Sequence, residues 1–134
     1  MMSAYSGWLA VALIVFAATV PLVYRAREKK RAAPGSRAIG GHVALGAAAA
    51  VFAFVHVLLA LPALGSSQAI AGGATALLPA GGAFFVLVAH AGVGLQLRDP
   101  KLRDRPKKRR VHQATAITIV VLVLVHVVVL RVAR

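Results

Sequence analysis

Residues Val111–Val132 read VHQATAITIVVLVLVHVVVLRV. Between His112 and His126 the stretch carries no charge. It is long enough to supply the ~20 residues a helix needs to cross a ~30 Å hydrocarbon core. It must be helical, because a lone strand leaves its backbone unsatisfied in lipid. Lys107, Lys108, Arg109 and Arg110 stand directly before it. An apolar run bordered by a basic block is the pattern of a membrane span and its cytoplasmic flank.

Working outward, three more apolar runs appear: Tyr5–Tyr24, Ala38–Leu61 and a third within Ile70–Leu97. The third is longer than one span needs and contains Pro79, so it reads either as one kinked helix or as a short outer segment followed by a helix from about Pro79. Spans over about 5–24, 38–61, 74–97 and 111–132 give one all-α domain, an integral membrane four-helix bundle covering 1–134. Tyr5 and Trp8 suit one membrane interface and Tyr24 the other. The first run has no positive segment before it, and its cations follow it, so it reads as a retained span rather than a cleaved signal.

Composition agrees. Of the residues, 60% are hydrophobic, and the mean hydropathy is +0.81. A soluble domain of 134 residues cannot hide that much apolar surface. Sixteen Lys and Arg against three acidic residues give a formal charge of +13. Such a charge often means nucleic acid. Here the cations fall into two blocks, Arg25–Arg37 and Arg98–Arg110, each beside an apolar run. That placement argues for membrane topology and lipid contact, and against nucleic acid. The chain has no cysteine, which excludes disulfides, iron–sulfur ligation and covalent haem attachment.

Charge also sets the orientation. The first loop holds Arg25, Arg27, Lys29, Lys30, Arg31 and Arg37 against Glu28. The third holds Arg98, Lys101, Arg103, Arg105, Lys107, Lys108, Arg109 and Arg110 against Asp99 and Asp104. The second, around Pro62–Gln68, is uncharged. Loops one and three are expected in the cytoplasm, and both termini on the non-cytoplasmic side. Arg131 and Arg134 are too few to reverse this. With Pro100 and Pro106, loop three is expected to be irregular. The expected location is a bacterial or archaeal cell membrane, crossed several times.

The five histidines lie within or at the edges of the apolar runs. Ionisable groups in lipid are expensive and mark function by default. The second run has His42 and His56, the fourth His112 and His126; both pairs are fourteen residues apart. On a helix that spacing leaves two side chains ~40° apart in azimuth and ~21 Å apart along the axis. The second and fourth helices run in the same direction, so His42 meets His112 toward the cytoplasm, and His56 meets His126 toward the outside. Facing imidazoles in lipid suit the two axial positions of a haem iron. Two noncovalent, bis-histidine b-type haems, one per leaflet, are therefore expected. Arg109 and Arg110 are placed to serve the propionates of the inner haem, and Arg131 those of the outer one. Gly40, Gly41, Gly46, Gly81, Gly82, Gly92 and Gly94 offer room for a macrocycle, and Phe52, Phe54, Phe84 and Phe85 offer packing against it. His90, ~12 Å in from Arg98 by helix rise, falls near the inner haem's depth. It is a candidate for a propionate contact, a quinone or proton site, a simple bond to a carbonyl, or replacement of His112 as ligand.

His42-x13-His56 with His112-x13-His126 resembles the four-helix di-haem core of cytochrome b from the bc complexes. It is also similar to the paired histidines of ferric-reductase, NADPH-oxidase and cytochrome b-561-like membrane domains. The resemblance implies haem between the second and fourth helices, first histidine with first and second with second. It covers nearly the whole chain through four histidines and helix order. The Pro-Glu-Trp-Tyr quinol-oxidation motif and the soluble flavin and nicotinamide domains of those relatives are not in this sequence.

The function these features point to is transmembrane electron transfer, with a quinone or a redox protein as partner. Superoxide or quinone chemistry at a haem edge would make the protein an oxidoreductase in its own right. The alternatives are a haem-free transporter or channel that uses the histidines for protons or metal, and a haem-free structural subunit of a membrane complex. A cation pathway usually needs intramembrane carboxylates, and all three acids here lie in loops.

Overall fold

A computed structural model of the chain describes residues 2–62 and 73–133. Its helices are Met2–Glu28 (α1), Arg37–Ala60 (α2), Gly73–Gln96 (α3) and Arg105–Val132 (α4). Each is long and apolar enough to cross a membrane. Large apolar side chains stand outward on all four, among them Val15, Phe16, Phe54, Phe85, Leu124 and Val128. An exposed apolar surface of this extent suits hydrocarbon as its solvent, not water. The fold is that of a multi-pass membrane bundle. Most of the uncharged second loop, and the beginning of the third apolar run, lie outside the described residues.

The helix ends depart from the apolar runs for a physical reason. α4 begins at Arg105 rather than Val111, with Pro106 in its first turn. There the missing N–H is no loss and the fixed φ suits the helix. Lys107–Arg110 then continue the helix beyond the apolar stretch, because Lys and Arg are good helix formers. α1 likewise runs on past Tyr24 to Glu28, with Arg25 and Arg27 in its last turn, where cations complement the helix dipole. Lys29, just beyond, takes the left-handed conformation common after a helix end, with φ of 53°. α2 is capped by Ser36, whose hydroxyl accepts from the Ile39 N–H at 3.3 Å. Pro79 lies inside α3, which is one helix from Gly73 to Gln96.

The loop between α3 and α4 is tied to the helix it follows. The Arg105 guanidinium donates to the Leu97 carbonyl at 3.0 Å and to the Asp99 carbonyl. The Lys101 N–H donates to the Asp99 carboxylate at 2.9 Å. The connection, which holds Pro100, is a pinned turn, because Arg105 meets the Leu97 carbonyl just past the end of α3 and the Asp99 carbonyl, which also accepts from the Leu102 N–H at 3.2 Å.

α1 packs along α2, and α3 along α4, as two hairpins that meet where α2 passes α3. The residues buried between helices are mostly small: Ala10, Ala17, Ala49, Ala76 and Ala83, with Leu87 and Ile119. Small residues let backbones approach closely, which drives association where lipid removes the hydrophobic effect. Among the described residues no Cα of α2 comes within 8 Å of a Cα of α4. α2 and α4, which bear the two histidine pairs, thus stand apart across the bundle.

Candidate cofactor site between the second and fourth helices

Both histidine pairs project into the space between α2 and α4. At the end bearing the basic loops, the His42 and His112 rings have centroids 6.0 Å apart, with planes at 81°. Imidazole nitrogens bind metals at ~2.0 Å, which puts the centroids of two rings on opposite sides of one ion on the order of 6 Å apart. The observed separation is of that size, and it is also that of ordinary edge-on ring packing. At the other end, His56 and His126 line one cavity of about 250 Å³ with walls from all four helices. Gly7, Trp8, Phe84 and Arg131 also line it, and the rest of its wall is largely aliphatic. Arg131 brings a guanidinium to the wall of the cavity that His56 and His126 line. Arg109 is half-buried and Arg110 exposed in the first turns of α4.

The ring tautomers follow from the partners. His42 Nδ1 lies 2.7 Å from the Ala17 carbonyl oxygen on α1. His126 Nδ1 lies 2.9 Å from the Ala76 carbonyl oxygen on α3. A carbonyl only accepts, so each Nδ1 carries the proton and donates it, and each Nε2 keeps its lone pair. A ligating histidine typically has this arrangement, its second nitrogen bound to a backbone carbonyl that fixes the ring. Each histidine helix thus has one ring held by its hairpin neighbour, one at either end of the bundle.

The other two rings lie against glycine. A Cβ on Gly7 would stand 3.0 Å from His56 Cε1, and one on Gly94 would stand 3.1 Å from His112 Cε1. Contacts that short force something to shift, so the lack of a side chain at these positions makes room for the imidazoles. Gly94 is among the glycines expected to line the interior. Gly82 meets Leu122, while Gly40, Gly41, Gly46, Gly81 and Gly92 have open space around their would-be Cβ. Gly7 was not among the expected contacts. A lone glycine in an apolar run gives no periodic signal, and only the register of α1 on α2 brings it to His56. Of the phenylalanines, Phe84 lines the His56–His126 cavity and lies beside Phe54 at 6.3 Å and Phe85 at 5.9 Å. Phe52 lines a separate shallow groove with Tyr5 and Leu9.

His90 joins the His42–His112 pair. Its ring stacks on His112 with centroids 3.7 Å apart and planes at 15°. Its Nδ1 is 2.8 Å from the Thr115 hydroxyl, a side-chain partner rather than the carbonyl considered from sequence. Among the described residues no group of three metal-binding side chains converges on a single bare-ion site. Stacked parallel rings do not aim their nitrogens at one point. Four imidazoles in two cross-bundle pairs, two of them in carbonyl-fixed tautomers and two cradled on glycine, are a donor set that fits two haems.

Compared with known protein families, with curated proteins and with solved structures, the chain matches none. The histidine arrangement therefore carries the functional reading alone.

Proposed function

We propose that this protein is a transmembrane electron-transfer cytochrome with two b-type haems. His42 and His112 hold one, and His56 and His126 the other. The observation that carries the reading is the gap between α2 and α4, bridged at one end by imidazoles 6.0 Å apart and at the other by two imidazoles on one cavity wall. Bound haem would supply a one-electron iron couple in each leaflet.

The chain's own residues do the rest. The Ala17 and Ala76 carbonyls hold His42 and His126 in the tautomer that leaves Nε2 free for a metal. Gly7 and Gly94 leave space for the facing rings. Arg131 brings a positive charge to the outer cavity, which favours an anionic propionate. The aliphatic wall excludes water. A haem held between two imidazoles would be suited to electron transfer rather than oxygen binding. Basic loops in the cytoplasm make the His42–His112 site the inner one. Its redox partner is a quinone or a redox protein.

Purification in detergent after expression with ample haem, followed by spectra before and after dithionite, tests this. Two low-spin b-type haems per chain are expected. A colourless protein would sink the reading and leave the histidine transporter and the structural subunit as the accounts to pursue.

A further inference from the structure

Three imidazoles crowd the inner site, and an iron has two axial positions. His42 is fixed by the Ala17 carbonyl at 2.7 Å. His90 is fixed as well. The Thr115 hydroxyl points its one hydrogen at the Val111 and His112 carbonyls, each at 3.0 Å, as threonines inside helices commonly do. With that hydrogen engaged, Thr115 Oγ1 accepts from His90 Nδ1–H at 2.8 Å. The proton therefore sits on His90 Nδ1, and its Nε2 keeps the lone pair. This is the tautomer that His42 and His126 have. His112 differs: its Nδ1 is buried with no hydrogen-bond partner. What holds it is the stack on His90, 3.7 Å away and nearly parallel, an interaction with the His90 backbone, and the space left by Gly94.

We propose that His90 is a second partner for His42 at the inner site, a residue that would hold a haem there in place of His112. The two rings lie in stacked, nearly parallel planes 3.7 Å apart, so both stand beside the same space facing His42 and either can be moved toward it. They come from different helices, α3 and α4. The exchange therefore couples ligation of the inner haem to the packing of that hairpin. The carbonyl and hydroxyl anchors make His42 and His90 the two preorganised donors of the site, and His112 the adjustable one. This inference rests on the haem reading above.

The test compares the wild type with His112→Ala, His90→Ala and the double variant. Haem per chain is read by pyridine haemochrome, and spin state by electron paramagnetic resonance of the oxidised protein. The wild type and each single variant are expected to hold two low-spin haems. The double variant is expected to fall to one low-spin haem per chain, the outer one, which also reports that the bundle has folded. If His112→Ala alone loses the inner low-spin haem, as the double variant does, His90 is not a ligand and the proposal is overturned while the haem reading stands. A wild type without haem overturns both.

Discussion

A Cβ on Gly7 would stand 3.0 Å from Cε1 and 3.1 Å from Nδ1 of His56, so α1 bears directly on the outer candidate ligand. The ring is a side chain and can move, but moving it shifts the donor nitrogen. Gly7→Ala is expected to weaken the outer haem. Overpacking of this kind costs about 1–3 kcal/mol, which is about fivefold to 150-fold in affinity. Haem titration of the purified apoprotein checks it, with the inner site unchanged. Equal weakening of both sites would count against a local contact. Gly94→Ala, whose Cβ would meet the His112 ring at 3.1 Å, is expected to push His112 aside and, with His90 able to take its place, to keep the inner haem.

His56 and His126 line one cavity, so they should act as a unit. His56→Ala and His126→Ala are each expected to lower haem content from two per chain to one. The double variant should match either single one, since a site that has lost one axial ligand has little left to lose. Non-additivity of this kind marks residues that share one partner. Haemochrome assay of the three variants decides it. Single variants that each keep both haems would refute the pairing.

The spans were legible because long apolar runs in lipid have few structural solutions. The cross-bundle pairing was legible because a fourteen-residue spacing repeats on two helices of like direction. The helix ends were less so, since Lys107–Arg110 continue α4 beyond the apolar stretch whose length set its expected start. The anchors of His42 and His126 are backbone carbonyls of Ala17 and Ala76, which no residue type announces. The His90–Thr115 bond spans 25 residues across a hairpin. It depends on the register set by the loop between α3 and α4, and that register follows from the turn geometry, not from hydropathy.

That turn gives a stability prediction. The Arg105 guanidinium donates to the Leu97 and Asp99 carbonyls. Hydrogen bonds from a charged donor are worth about 1.5–3 kcal/mol when well shielded, and partial exposure here reduces that toward about 1 kcal/mol. Arg105→Ala is expected to lower the thermal midpoint in detergent by a few degrees, whereas Arg103→Ala, on the same loop, is expected to leave it unchanged. Equal effects would show that net charge, and not the pinned turn, is responsible.

Orientation can be read with single cysteines, because the natural sequence has none and the background is zero. Lys30, Lys101 and Ala133 are all exposed, at opposite ends of the bundle. The block 25–37 carries six cations against one acid, and the block 98–110 eight against two. Excess Lys and Arg near span ends holds a loop in the cytoplasm. In intact cells a membrane-impermeant maleimide is expected to label Ala133→Cys and to reach Lys30→Cys and Lys101→Cys only after lysis. The reverse pattern would invert the bundle and put the His42–His112 site at the outer face. Labelling of only one of the two loop positions in intact cells would break the parallel course of α2 and α4, and with it the pairing of histidines by depth.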